Sequence, residues 1–179
     1  MNNKQDGIVL IISLIMLLLM TLLGISAMNT SLMEEKMVSN SRDKILAFEA
    51  AESTLRKSAV ALAGTNLEIL PSTTGSNGIW VLNAMDINSD DDNNWWQEQD
   101  ESWWIANAIS AETNMDLPLV KTEPRTVLEY IMFQEDIEDI TLGTGLIDPG
   151  SAYYRLTARG TGGTDQAISL IQSTILKRY

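Results

Sequence analysis

The side chains in this sequence that could hold a metal ion are the carboxylates and amides of one acidic stretch. Asp86, Asn88 and Asp90 have the D-x-N-x-D spacing that opens a calcium-binding loop. The pattern then fails, because Asp91 occupies the position of the turn glycine and Gln97 that of the bidentate glutamate. The stretch is either a weak calcium site or a solvated acidic loop, and the second interpretation is favoured. No other metal site and no cofactor is predicted.

The composition argues against catalysis. The 179 residues include no histidine and no cysteine, which removes the commonest general base, the commonest transition-metal ligand and any thiol nucleophile. The glycine-rich run GTGGTDQ at 160–166 lacks the lysine and the strand-to-helix setting of a phosphate-binding loop, so it predicts a hairpin turn. The net charge of −12 argues against binding to nucleic acid, whose phosphates need a basic surface. We expect neither an enzyme nor a nucleic-acid-binding protein.

Four tryptophans, Trp95, Trp96, Trp103 and Trp104, lie close together in the sequence beside the acidic stretch. The segment around them reads as one short helix, with the last three rings near one face. These rings either form the core of a domain or present an aromatic patch to a partner, since tryptophan is enriched at binding hot spots. Core packing is favoured for most of them. We predict that residues 86–116 are an acidic, tryptophan-rich insertion that contacts a partner through some of these rings.

The elements that would carry these residues begin with an apolar amino-terminal stretch. Ile8–Met28 is a run of 21 residues, and no charged residue occurs from Gly7 to Met33. About 20 apolar residues in a helix cover a bilayer core of about 30 Å, so the run predicts a membrane-spanning helix. Lys4 favours a cytoplasmic amino terminus. Three interpretations are open: a cleaved secretory signal, an uncleaved anchor, or a short leader cut between Gly7 and Ile8.

The helix is predicted to continue to residue 63 without a break. The following segment contains no proline and is rich in alanine, leucine, glutamate and lysine, with Gly64 as a plausible stop. Apolar residues at steps of three or four form one stripe, comprising Ile45, Phe48, Ala51, Leu55, Ala59 and Leu62. Glu52 and Arg56, four residues apart, can pair on the opposite face. Residues 8–63 therefore predict one helix of about 80 Å, apolar in its first half and amphipathic in its second.

The remainder, residues 65–179, predicts a strand-rich head. Short strands are expected at 79–83, 127–133, 153–159 and 167–176, and the second of these has apolar groups on both sides. In the third, Tyr154, Leu156 and Ala158 alternate with more polar residues, which is typical of a half-buried strand. We expect an α+β fold in which an antiparallel sheet packs on the amphipathic half of the long helix.

The run GIVLIISLIMLLLMTLLGISAM, followed by MEEKMVSNSRDKILAFEAAESTLR, resembles the amino-terminal region of PilX-type type IV pilus assembly proteins, which are minor pilins. PRTVLEYI at 124–131 and YYRLTARGTGGTDQAISLIQSTILKRY at 153–179 resemble the closing strands of the same family. The resemblance implies that residues 1–7 are a leader, which prepilin peptidase removes between Gly7 and Ile8 before methylating the new amino terminus. It further implies that residues 8–63 are a transmembrane and assembly helix, with Ile12, Gly24, Phe48 and Leu55 among its assembly residues.

By the same resemblance the chain sits first in the bacterial inner membrane as a single-pass protein with its head in the periplasm. It then moves to the pilus tip at the cell surface. The implied partners are other minor pilins, the major pilin, a tip adhesin, the inner-membrane assembly platform and prepilin peptidase. The implied role is to help initiate pilus assembly and to carry the adhesin, without any chemistry of its own.

Two positions depart from the usual pilin pattern. Asp6 stands before Gly7, where pilin leaders usually have a basic residue. Ile12 stands where major pilins have the glutamate thought to neutralise the amino terminus of a neighbouring subunit. The second departure favours a tip subunit, with a simple lipid-facing residue as the alternative. Two other classes stay open: a minor pseudopilin of type II secretion, and a signal-anchored periplasmic binding module.

Overall fold

A computed structural model describes residues 6–65, 69–76, 78–87, 92–110, 118–135 and 150–179. The chain divides after Arg42 into two compact units. One uninterrupted helix, α1 (Asp6–Gly64), provides the first unit and the beginning of the second. It contains no proline, and after Gly64 the Thr65 amide closes the last turn on the Leu62 carbonyl at 3.3 Å. The prediction of a single long helix is confirmed.

In the first unit the helix exposes apolar side chains on every face. The large apolar residues from Ile8 to Met33 are all at least half exposed. An 18-residue window of α1 has a mean hydropathy of 3.1, and none of it is buried within the structure. Among the described residues α1 is the one helix that is long and apolar enough to cross a membrane. Such a surface needs lipid or protein around it.

The second unit contains a mixed sheet. Its strands are β1 (Ile79–Val81), β2 (Ile109–Ser110), β3 (Arg125–Glu135), β4 (Gly150–Thr161) and β5 (Ile168–Arg178), and two short helices, α2 (Trp95–Glu98) and α3 (Glu101–Asn107), lie between β1 and β2. The strand order is β1-β3-β4-β5, with β2 also paired to β3. The long β3–β4 and β4–β5 ladders are antiparallel. The α+β prediction, with the helix packed on a carboxyl-terminal sheet, is confirmed.

The first strand corrects one detail of that prediction, which made the whole sheet antiparallel. β1 pairs with β3 in parallel, with Ile79 opposite Leu128 and Val81 opposite Tyr130. A parallel pair needs a crossover of a dozen residues or more, and the chain between these strands, which carries α2 and α3, is long enough to provide it. The sequence pattern of a short apolar strand contains no information about the direction of its partner.

The helix packs on the sheet through small residues. Ala47, Ala50 and Ala51 are buried on α1, and a Cβ at Gly160 of β4 would collide with the backbone of Ala47 and Ala51. Since the backbones approach this closely, large side chains cannot lie between them. The core that forms farther along the helix contains Leu62, Ile79, Leu128, Ala152, Tyr154 and Leu156.

This packing sets the buried face of α1. The predicted apolar stripe is only partly buried: Ala51 and Leu62 lie in the core and Leu55 packs against it. Ile45 and Phe48 are 55% and 50% exposed. The predicted Glu52–Arg56 pair is present, with a closest N–O distance of 2.5 Å.

Polar contacts fix both ends of this helix segment to the sheet. At one end Asp43 accepts hydrogen bonds from the amides of Gly163 (2.6 Å) and Thr164 (3.2 Å) and from the Thr164 hydroxyl. The Thr164 hydroxyl is the main reason that the pKa of Asp43 lies below its ordinary value. At the other end the buried Lys177 ammonium donates to the Leu62 carbonyl at 2.7 Å and to the carbonyl and hydroxyl of Thr65.

The hairpin between β4 and β5 confirms the prediction that the glycine-rich run at 160–166 contains a turn. The amide of Gly162 donates to the carbonyl of Ala167 at 3.0 Å, so the turn begins later than predicted. Gly160 and Thr161 belong to β4, where they pair with Ser169 and Ile168.

Candidate interaction surfaces

Five tryptophans cover the face of the sheet that points away from α1. Trp80, Trp95 and Trp104 are buried together with Met85, Ala108 and Val127, and Trp96 and Trp103 pack against them partly exposed. Trp95 is the centre, with ring centroids of Trp96, Trp103 and Trp104 each 5.6 Å away. We call these five residues the tryptophan layer. Tilted and edge-to-face pairs at such distances are the geometry that aromatic rings prefer.

The four tryptophans singled out in the sequence are therefore brought together. Trp95 and Trp104 are each 1% exposed, so their rings serve the core. Trp96 and Trp103 keep part of their surface in solvent. The binding role of these rings stays a prediction, and the structure narrows it to the partly exposed pair.

The prediction of one helix through this segment is wrong. The helix breaks at Gln99 and Asp100, which separate α2 from α3. The cause is a capping residue: the Asp100 carboxylate accepts a hydrogen bond from the Trp103 amide at 2.8 Å and starts a new helix. That bond from the Trp103 amide is also the main reason that the pKa of Asp100 is lowered.

A buried ion pair on the sheet contacts the tryptophan layer, and it was not predicted from the sequence. Arg155 of β4 donates to both carboxylate oxygens of Glu129 of β3, each at 2.7 Å. The Asn83 amide donates to the same carboxylate at 3.0 Å, and the Asn83 side chain accepts from Arg155 at 2.5 Å. The guanidinium lies over the Trp96 ring, 5.3 Å from its centroid. The signal in the sequence was a lone glutamate inside the apolar strand VLEYIMF.

Trp80 was also missed as a member of the layer, because it lies on a separate strand. The register of β1 places Trp80 opposite Glu129, and its ring centroid lies 5.9 Å from that of Trp103. Gly75 has a positive φ of 65°, and a Cβ there would collide with the Trp80 ring. Glycine at position 75 therefore allows the turn before β1 to pack directly against the Trp80 ring.

The predicted calcium site is only partly within the described residues. Asn88 and Asp90 lie outside them, so the arrangement with Asp86 stays a prediction. The residues that the structure describes contain no group of three or more histidine, cysteine, aspartate or glutamate side chains placed to hold a metal ion.

The predicted assembly residues lie in different surroundings. Ile8 and Ile12 are 59% and 53% exposed on the first turns of α1. At Gly24 a Cβ would meet no described atom within 4 Å. Phe48 is half exposed, whereas Leu55 packs against the core. Gly7 is within the helix, and residues 1–5 of the predicted leader lie outside the described part.

An exposed apolar amino-terminal helix, compatible with a membrane anchor, continues into a segment packed on a sheet, which is the arrangement of a pilin-type subunit. Comparison with protein-family models gives the family. Residues 6–56 match the model for the PilX N-terminal region, and residues 57–177 match that for the type IV pilus assembly protein PilX C-terminal region. The chain therefore belongs to the PilX family of type IV pilus assembly proteins. No curated protein and no solved structure matches it.

Proposed function

We propose that this chain is a minor pilin that helps to initiate type IV pilus assembly and sits at or near the pilus tip. There it links other minor pilins and a tip adhesin to the major-pilin fibre. The tip position is supported by the residue at position 12. Ile12 replaces the glutamate of major pilins in the first turns of α1. A subunit without this carboxylate has no group to neutralise the amino terminus of a subunit above it. The fibre position that requires no such contact is the tip.

The physical basis of assembly is an exchange of surroundings for α1. A charged side chain at bilayer depth costs at least about 2.5–3.5 kcal/mol on insertion scales, and α1 has none between Ile8 and Met33. The helix is therefore stable in the bilayer as an anchor. On assembly it replaces lipid contacts with contacts to the helices of other subunits. Gly24 lowers the helical preference locally by about 1 kcal/mol relative to alanine and supplies flexibility for that step.

The proposed topology places the amino terminus in the cytoplasm and the head in the periplasm. Lys4 supports this orientation by the positive-inside rule. Prepilin peptidase then cuts between Gly7 and Ile8, on the cytoplasmic side, and methylates Ile8. After extraction by the assembly platform the head is presented at the cell surface. This role requires no catalytic group and no cofactor.

A deletion strain tests the proposal. We expect it to lose surface pili and twitching, and we expect wild-type chain expressed in trans to restore both. Antibody against the head should label pilus ends in the complemented strain. Ile12→Glu should restore the carboxylate contact and move the label from the ends to positions along the fibre.

Three outcomes would contradict the proposal. Loss of secreted proteins with normal pili would indicate a type II secretion pseudopilin. An intact Met1 in the mass of the membrane form would indicate a signal-anchored periplasmic module. Uniform labelling along fibres by the wild-type chain would exclude the tip position while leaving the family role intact.

A further inference from the structure

We propose that the exposed margin of the tryptophan layer docks a basic surface of another pilus subunit, one that presents arginine or lysine among aliphatic side chains. This inference rests on the proposed function and names the chemistry of one partner. The margin comprises the partly exposed Trp96 and Trp103 with the exposed Asp92, Asp100 and Ile105 of the same segment.

The charge of the segment points to the sign of the partner. Residues 78–110 contain seven aspartate and glutamate residues and no lysine or arginine. Five of the seven lie in the described part, and Asp92 and Asp100 are exposed. Two cations from the strands also lie here, since Arg125 donates to the Ile105 carbonyl and Arg155 lies over the Trp96 ring. The carboxylates of the segment remain in excess, so the surface favours a cationic protein surface over anionic lipid or nucleic acid. Complementary charge increases the association rate and excludes partners of the wrong sign.

The apolar part of the margin provides the contact area. Ile105 is 50% exposed, and Trp96 and Trp103 each retain solvent-exposed surface. Aromatic anchors within a polar rim are the usual arrangement of a binding hot spot. The two rings are held in place by buried neighbours, since both contact Trp95. They therefore lose little conformational freedom on binding.

The structure already contains an example of the proposed contact. Arg155 places its guanidinium 5.3 Å from the centroid of the Trp96 ring. Arginine is the cation found most often over tryptophan, and such contacts contribute more when solvent is excluded. Trp103 contacts Trp80, Trp95 and Trp104 through its ring. A partner arginine that lies against the exposed part of Trp103 would repeat the internal arrangement.

Co-purification tests this inference with the full-length chain. The chain is co-expressed in a host without pili with each of the other pilin subunits and the adhesin of its own pilus, one at a time. It is then extracted in mild detergent and captured by an affinity tag. Two variants change the margin, Asp92→Lys and Ile105→Ala. Their matched controls are Glu135→Lys and Leu170→Ala, which change an exposed carboxylate and an exposed aliphatic residue on the strands.

We expect one subunit to be retained by the wild-type chain and by both controls. Asp92→Lys should reduce its retention at least tenfold and Ile105→Ala about threefold. Increasing salt should weaken wild-type retention steeply. The tryptophan near-ultraviolet circular dichroism of each variant should match the wild type, which shows that the layer is folded.

Two outcomes overturn the inference alone: retention of every bound subunit by the margin variants at the wild-type level, or retention of a second copy of this chain in preference to any other subunit. Retention of no subunit by the wild-type chain overturns the inference, and it overturns the proposed function as well if the deletion strain keeps its pili. The deletion strain distinguishes these cases, because its pilus phenotype depends on the proposed function and not on this surface.

Discussion

Glu129 and Arg155 form a two-bond ion pair across β3 and β4, on the face of the sheet that the tryptophan layer covers. The Glu129 side chain is fully buried and that of Arg155 is 20% exposed. Burial of a carboxylate is costly unless the charge is compensated. Here Arg155 and the Asn83 amide compensate it, and Arg155 also supports Trp96. The pair thus connects the strands to the ring that we propose as part of a binding surface.

Arg155→Ala should destabilise the second unit by about 3 kcal/mol, because it leaves the buried Glu129 carboxylate without its cation. The measurement is urea unfolding of the full chain in detergent, followed by tryptophan fluorescence. Arg56→Ala is the matched control, since it breaks the exposed Glu52–Arg56 pair and should cost no more than about 0.5 kcal/mol. Equal losses in the two variants would show that Glu129 does not depend on its partner.

Gly160→Ala should destabilise the same unit by about 1–3 kcal/mol. The added Cβ would collide with the α1 backbone at Ala47 and Ala51, so the helix must move away from β4. Gly64→Ala is the control, because a Cβ there would meet no described atom within 4 Å. Urea unfolding in detergent compares the two variants. A neutral effect of Gly160→Ala would mean that the helix is not held closely against the strand.

Residues 160–166 illustrate what the sequence predicted of the fold and what it did not. The glycines correctly indicated a turn between two strands. The role of Gly160 depends on a helix more than a hundred residues earlier in the chain, and no local pattern reports such a contact. For the same reason the apolar periodicity of α1 placed Ile45 and Phe48 on the buried stripe. The sheet instead selects the small residues Ala47 and Ala50, which allow close approach.

The tryptophan layer was also predicted only in part from the sequence. The density of rings indicated a core, and Trp95 and Trp104 confirm it. The sequence did not predict the helix break, because the helical preference of the segment concealed the capping role of Asp100. Trp80 and Arg155 join the layer through strand pairing, which depends on register between distant segments.

Stability of the second unit should depend on pH through Asp43. Hydrogen bonds, chiefly from the Thr164 hydroxyl, lower the pKa of Asp43 below its ordinary value of 3.8. A lowered pKa in the folded state stabilises the fold at pH values above 3.8, and this contribution is lost as pH falls through the lowered pKa. Asp43→Asn should therefore unfold at a lower temperature than the wild type at neutral pH, and the difference should narrow in acid.

The matched control for Asp43 is Glu135→Gln, which removes an exposed carboxylate at the end of β3. Thermal unfolding of the full chain in detergent, followed by circular dichroism at several pH values, provides the comparison. A constant difference between Asp43→Asn and the wild type across the acid range would contradict the ionised hydrogen-bonded state of Asp43.

Lys177→Met should destabilise the second unit by about 1–3 kcal/mol. The ammonium is buried and donates to the Leu62 and Thr65 carbonyls. Its loss removes this donor from the Thr65 carbonyl and leaves the Leu62 carbonyl with the Thr65 amide and hydroxyl only. Arg178→Met, one residue later and exposed, is the control and should change the free energy of unfolding by less than about 0.5 kcal/mol. Amide hydrogen exchange gives a local readout, since the last turn of α1 should exchange faster in Lys177→Met only. Equal exchange in both variants would refute this role of Lys177.

A variant of Phe48 distinguishes the role of α1 in assembly from its role in folding. The Phe48 side chain is 50% exposed, although Ala47 and Ala51 of the same helix segment are buried. A truncation there removes little buried area, so Phe48→Ala should change the free energy of unfolding by less than about 0.5 kcal/mol. If the ring packs against another subunit, the same variant should reduce the amount of this chain in sheared pili several-fold.

Ile168→Ala truncates an aliphatic side chain on β5 that is 46% exposed, and it should enter pili normally. Immunoblots of sheared pili and of whole cells measure both variants against the wild type. Normal entry of Phe48→Ala into pili would place the assembly contacts of α1 elsewhere on the helix.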